Sequence, residues 1–137
     1  MEFFVPGVPV AQGSKRHVGK GIMVEQLKNL GPWREAVINA ALNVETSEVF
    51  FGPVRAVITF RFPRPKHHFG TGRNAEKLKL SAPIYKESAP DLDKLVRAVG
   101  DALTQAGVLR DDALIVALAA AKVYDEHPGA KVVITNA

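Results

Sequence analysis

The chain has 137 residues, 47% of them hydrophobic, and a formal net charge of +4 at pH 7, which fits one globular domain with its own core and excludes a disordered chain. It contains no cysteine, so it has neither a disulfide framework nor a thiolate metal centre. Its longest apolar run, Ala113–Ala121, has nine residues, far short of the roughly 20 that span a bilayer. The start is acidic at Glu2 and broken by Pro6 and Pro9, which does not fit a signal peptide, and no membrane partner is expected.

Phe3–Val8 is aromatic and β-branched and predicts a strand ended by Pro9. Residues 11–21 hold three glycines, a serine and the cations Lys15, Arg16 and Lys20. They predict a loop or hairpin able to embrace a phosphate, although the P-loop spacing is missing. Pro32 opens an expected helix to about Val44, with Trp33, Val37, Ala40, Ala41 and Val44 as its buried stripe. On that stripe Trp33 belongs to the core and not to a base-stacking platform. After Gly52-Pro53, the alternation of Val54, Ala56, Ile58, Phe60 and Phe62 with Arg55, Val57, Thr59 and Arg61 predicts a strand packed on one face.

Residues 63–90 are expected to be irregular, and so long a connection is usually functional. Between Arg61 and Pro90 lie Arg61, Arg64, Lys66, Arg73, Lys77, Lys79 and Lys86 against Glu76 and Glu87, an excess that suits a phosphate-rich partner. Solvated lysine-rich loops show the same bias. Adjacent histidines diverge, and His67-His68 has no third ligand nearby, so zinc is not expected there. Phe69 or Tyr85 can either wedge against an opened base pair or tuck onto the core.

Leu92, Leu95, Val96, Val99, Ala102, Leu103 and Ala106 recur at helical spacing, and Gly107 supplies the stop, so 92–106 reads as an amphipathic helix. Two residues turn a helix by about 200°, so Asp91 and Asp93 converge only if Asp91 lies at or before the N-cap. Two readings fit them. One is a hard-cation site, since Mg²⁺ is usually held by one or two carboxylates with waters and a substrate phosphate. The other is helix capping by Asp91 with an Asp93–Arg97–Asp101 ion-pair ladder. Further on, Asp111-Asp112 precedes a run to Tyr124 that periodicity cannot settle, its alanines favouring helix and its Ile and Val favouring strand. Asp125–Gly129 reads as a turn and Lys131–Thr135 as a last strand.

Pro90-Asp91-Leu92-Asp93-Lys94-Leu95, the helix ending at Gly107, and Asp111-Asp112 before an apolar run ending at Lys122 together resemble the RusA-type Holliday junction resolvases. The opening Pro6-Gly7-Val8-Pro9-Val10-Ala11-Gln12-Gly13-Ser14-Lys15-Arg16 is similar to that of the phage-type members, and Gly31-Pro32-Trp33-Arg34 fits the same pattern. The resemblance covers most of the chain and makes 113–124 a buried strand. On that reading Asp112 and Lys122, ten residues apart at about 3.3 Å each, cannot serve one metal, which leaves Lys122 as a DNA-contact or structural residue.

The expected fold is then α+β over 1–137, with a small mixed sheet of about four to five strands packed with two main helices. The resemblance implies an intertwined homodimer. It also implies a Mg²⁺-dependent (Mn²⁺ possible) endodeoxyribonuclease with no small-molecule cofactor, working on four-way or other branched DNA in a bacterial or phage-infected cytoplasm. The catalytic set it implies is Asp91, Asp93 and Asp112, with the metal on these three and Asp111 beside them. Arg97 stands where the family carries a functional lysine. It keeps the charge and can clamp a phosphate, but it is no tunable acid. Lys94 is the alternative for part of that role. Lys15, Arg16, Lys66, Arg73, Lys86, Lys94 and Lys122 are the expected DNA contacts. The Arg97 departure also admits a second function, a non-catalytic junction- or nucleic-acid-binding module on the same scaffold.

Overall fold

The computed structural model describes residues 1–13, 20–44 and 49–137, with the backbone alone for 20–27. In chain order come β1 (Glu2–Pro6), α1 (Lys20–Leu42), β2 (Val54–Phe62), α2 (Leu92–Gln105), β3 (Ile115–Tyr124) and β4 (Gly129–Asn136). The strands form one mixed sheet in the order β1-β4-β2-β3. β4 runs antiparallel to both β1 and β2, and β3 runs parallel to β2. This is the expected α+β architecture, with four strands and two α-helices among the described residues.

The alternation of β2 decides which face is covered. Val54, Ala56, Ile58, Phe60 and Phe62 are all buried. Their neighbours in register continue the same face, with Phe3 beside Val132 beside Ile58, and Val5 beside Ala130 beside Phe60. Trp33, Val37 and Ala41 of α1 and Leu95, Ala98, Val99, Ala102 and Leu103 of α2 close one core with these rows. The opposite face is open, and its Phe4 and Val57 are about two-fifths exposed.

Three expectations on element boundaries are corrected. α1 begins at Lys20 and not at Pro32, which lies inside it. The proline ring already holds a helical φ and removes one internal N–H, a loss the helix tolerates because Trp33 and Val37 just beyond it are buried in the core. The first strand stops at Pro6, where Gly7 takes a φ of +117°, a turn closed to most side chains, so Val8 is not part of it. The last strand begins at Gly129, because its pairing with β1 extends through Pro6↔Gly129.

α2 is framed as its sequence suggests. Asp91 occupies the N-cap position with extended backbone, and Gly107 has a φ of +79° just past the end. Of the 113–124 run, Ile115–Tyr124 is a strand entered through a 3-10 turn at Asp112–Leu114; its expected burial is corrected, because it lies at the edge of the sheet and none of its residues is buried. Among the described residues no helix is long and apolar enough to cross a membrane.

Candidate active site

α2 brings Asp91 and Asp93 to its mouth, and three attachments fix that mouth. Lys122, near the far end of β3, donates from Nζ to Ser88 O and to Pro90 O, both at 2.8 Å. Lys86 Nζ donates to Ser88 Oγ at 2.9 Å and sits over the rings of Phe62 and Tyr124. The Lys86 N–H donates to Lys122 O at 3.0 Å. Lys122 thus has two of its three N–H donors committed to the backbone just ahead of Asp91. Replacing it by Met is expected to cost about 1 kcal/mol of stability, because water can reach carbonyls that are only partly covered. Urea unfolding of Lys122→Met against the parent checks this.

The capping-and-ladder alternative is not what the structure shows. Asp91 sits at the N-cap without a side-chain cap hydrogen bond. Its Oδ2 is 3.5 Å from Lys94 Nζ, and 63% of its side chain is exposed. Asp93 and Arg97 are exposed, and neither takes part in an ion pair among the described residues. Asp101 does not pair with Arg97 either. It accepts from Gln12 Nε2 at 2.6 Å, while the Gln12 backbone N–H donates to Lys94 O at 3.1 Å. What the fold asks of these acids is one exposed ion pair, Asp91 with Lys94, and negative charge at the positive end of α2. Asp91 stands at the N-cap, the placement that lets it converge with Asp93.

The second pair of acids enters from the 3-10 turn before β3. Asp111 Oδ1 accepts the Ala113 N–H at 2.9 Å. That bond, and then the hydrogen bond shared with Asp112, hold the Asp111 carboxyl below its ordinary value. The same side-chain bond, followed by burial and the charges of Asp111 and Asp101, pushes Asp112 up. The two adjacent carboxyls are thus pushed in opposite directions, Asp111 toward the charged form and Asp112 toward the neutral one. A cation bound there would reverse that preference.

Asp112 lies against Gly100 of α2, where an added Cβ would come within 3.6 Å of the aspartate's Cβ. Seven residues separate Gly100 from Asp93, so Asp112 lies roughly 10 Å along the helix axis from the mouth, nearly on the same stripe. Arg97 falls between them on that stripe, about one turn from each. Among the described residues, no group of three or more acidic or histidine side chains is close enough to hold a metal ion. What the protein offers is two pairs of carboxylates flanking a guanidinium. Hard oxygen donors in ones and twos suit Mg²⁺, which completes its shell with water and phosphate oxygens.

Of the expected DNA contacts, Lys15 and Arg16 lie outside the described residues. Lys66 and Arg73 are exposed on short 3-10 turns of the 63–90 connection. Lys86, Lys94 and Lys122 ring the α2 mouth in the contacts given above. Of the two wedge candidates, Phe69 is half-buried and Tyr85 is exposed but held to Val123 by a β-bridge. His68 is buried, edge-on to Tyr124 with centroids 4.8 Å apart, and burial lowers its pKa.

Sequence reasoning had read Asp101 as a ladder rung only and had not singled out Gln12. The signal for Asp101 is its place about one helical turn after Arg97, on a neighbouring position of the same face. Gln12 carried none, since its partners are some 80 to 90 residues away in the chain.

A family model described as Endodeoxyribonuclease RusA matches residues 6–135 of the chain. The chain is also 32% identical over 137 residues to the uncharacterized protein YqaN of Bacillus subtilis (strain 168), a match covering 98% of this chain and 94% of that protein.

Proposed function

Since the chain belongs to the RusA endodeoxyribonuclease family, we propose that it resolves Holliday junctions or other branched DNA by paired, symmetric phosphodiester hydrolysis. The single observation that carries this reading is the α2 mouth. Asp91 and Asp93 are held in position there and used for neither capping nor an ion-pair ladder.

In this proposal Asp91 and Asp93 at the mouth, and Asp112 with Asp111 supporting it about 10 Å along α2, would each present carboxylate oxygens as a separate pair to divalent cations, Mg²⁺ or Mn²⁺. The bound cation supplies charge stabilisation on the non-bridging oxygens and an activated water. Arg97, lying between the two carboxylate pairs, clamps the scissile phosphate through its fixed fork of donors. Lys94 holds Asp91 until a phosphate competes for it. Lys122 and Lys86 position the Ser88–Pro90 backbone that carries Asp91 to its place. Lys66 and Arg73 on the connection neutralise backbone phosphates farther from the cut, and the cations Lys15 and Arg16 are further candidates for phosphate contacts.

Two matched cuts on a near two-fold substrate call for two sites, so the working unit is a C₂ homodimer. The long outer edge of β3 supports it. From Ile115 to Ala121 it carries no charge and, among the described residues, has no strand beyond it, and such an edge is a template for pairing.

The test is a labelled mobile four-way junction incubated with the protein, with and without Mg²⁺. Symmetric nicks that vanish in EDTA and return with Mn²⁺ are the expected result. Tight junction binding with no turnover under any divalent cation would favour the non-catalytic module that the Arg97 departure allows. A monomer both free and on DNA would refute the paired mechanism.

A further inference from the structure

The connection between β2 and α2 contains a folded arm that serves no core. Residues 71–81 are exposed without exception. They are nevertheless ordered by their own backbone. The Gly70 N–H donates to Lys77 O at 3.0 Å and the Lys79 N–H to His68 O at 2.9 Å, which makes a small antiparallel bridge between Phe69 and Leu78. The base of the arm is anchored. His68 is buried against Tyr124, and Arg64 Nη1 donates to Pro83 O at 2.7 Å on the returning segment.

At the corner of this arm stands Leu80, fully exposed. A turn closed by the Ala82 N–H to Lys79 O at 3.1 Å holds it out. Between residues 66 and 82 the arm carries Lys66, Arg73, Lys77 and Lys79 against Glu76 alone. Backbone order without packing implies an arm shaped for something outside the subunit. Its charge says what. A second copy of the arm would meet it with like charge, whereas a polyanion would be drawn in.

We infer that Leu80 is an apolar wedge that enters the unstacked base step at a DNA branch point, with Lys77 and Lys79 on the flanking phosphates. This rests on the branched-DNA reading above and adds to it the element that tells a branch from a plain duplex. Apolar side chains flanked by cations open base steps in bent DNA at a cost in stacking, and that cost is lowest where stacking is already interrupted. Leu80 therefore adds little on continuous duplex and much at a junction.

The test uses the full chain in EDTA with a four-way junction carrying 2-aminopurine at the branch, and a linear duplex of the same arms. The parent protein is expected to raise 2-aminopurine fluorescence on binding. In Leu80→Ser that rise is lost and the preference for junction over duplex drops about tenfold, while duplex affinity stays within about twofold. Leu80→Met restores both, and the unfolding midpoint of each variant matches the parent because the side chain is fully exposed. If the parent binds and cuts junctions but Leu80→Ser matches it in fluorescence and preference, the wedge is overturned and the nuclease reading stands. If Leu80→Ser instead converts a dimer into a monomer, the arm is a subunit contact and the wedge is again overturned. If the parent shows no junction binding, both readings fall.

Discussion

Asp91→Asn should reduce junction cleavage by roughly a hundredfold or more while leaving junction binding unchanged or tighter. The argument starts from what Asp91 does not do for the fold. It makes no side-chain cap, and its ion-pair partner among the described residues is Lys94 at 3.5 Å, with the Asp91 side chain largely exposed. Its amide counterpart removes a negative charge beside DNA phosphates, which favours association, and removes a hard-cation ligand, which disables hydrolysis. Stability should change by less than about 1 kcal/mol, since an exposed ion pair contributes little. Cleavage rates under single turnover, junction affinity by gel shift and thermal unfolding on the same preparation separate these effects. Full cleavage by the variant would remove Asp91 from the site.

Phe60→Ala should destabilise the protein by about 3–5 kcal/mol, the usual range for a buried aromatic truncated to a methyl. Phe60 is fully buried on β2, and β2 is hydrogen-bonded to β4 on one side and β3 on the other. Its ring lies in the row with Val5 and Ala130, inside the one core that the sheet and both helices build. The loss also reaches the site, because the β2–β3 pairing sets Lys122 beside Phe60 and Lys122 holds the α2 mouth. Urea denaturation gives the stability loss. A change under about 1 kcal/mol would mean that the row is not the centre of the core.

Much of this arrangement was legible in local patterns. The period-two alternation of 54–62 named both the strand and its buried face, because a strand between two neighbours under a helical layer must alternate. The heptad-like spacing of 92–106 with Gly107 after it named α2 for the same kind of reason. The boundary of α1 was hidden because Pro32 is a strong local start signal, and only the burial of Trp33 and Val37 shows that the helix runs through it. The strand at 115–124 was undecided from periodicity because an alanine-rich run satisfies both periods.

By itself the sequence determined the acids and their spacing, the family they point to, the central strand and the α2 frame, since all of these are properties of residues within a few turns of one another. Tertiary structure alone decided which carboxylates are committed. Asp101 goes to Gln12 and Asp112 lies against Gly100, while Asp91 makes no side-chain cap at the mouth. It also decided that Lys122 braces the backbone before Asp91 and that Leu80 stands clear of the core. The physical reason is distance along the chain. A carboxylate's partner is whichever donor the packed helix and sheet bring within hydrogen-bond reach, and for Gln12–Asp101 and Lys122–Ser88 those donors are 89 and 34 residues away.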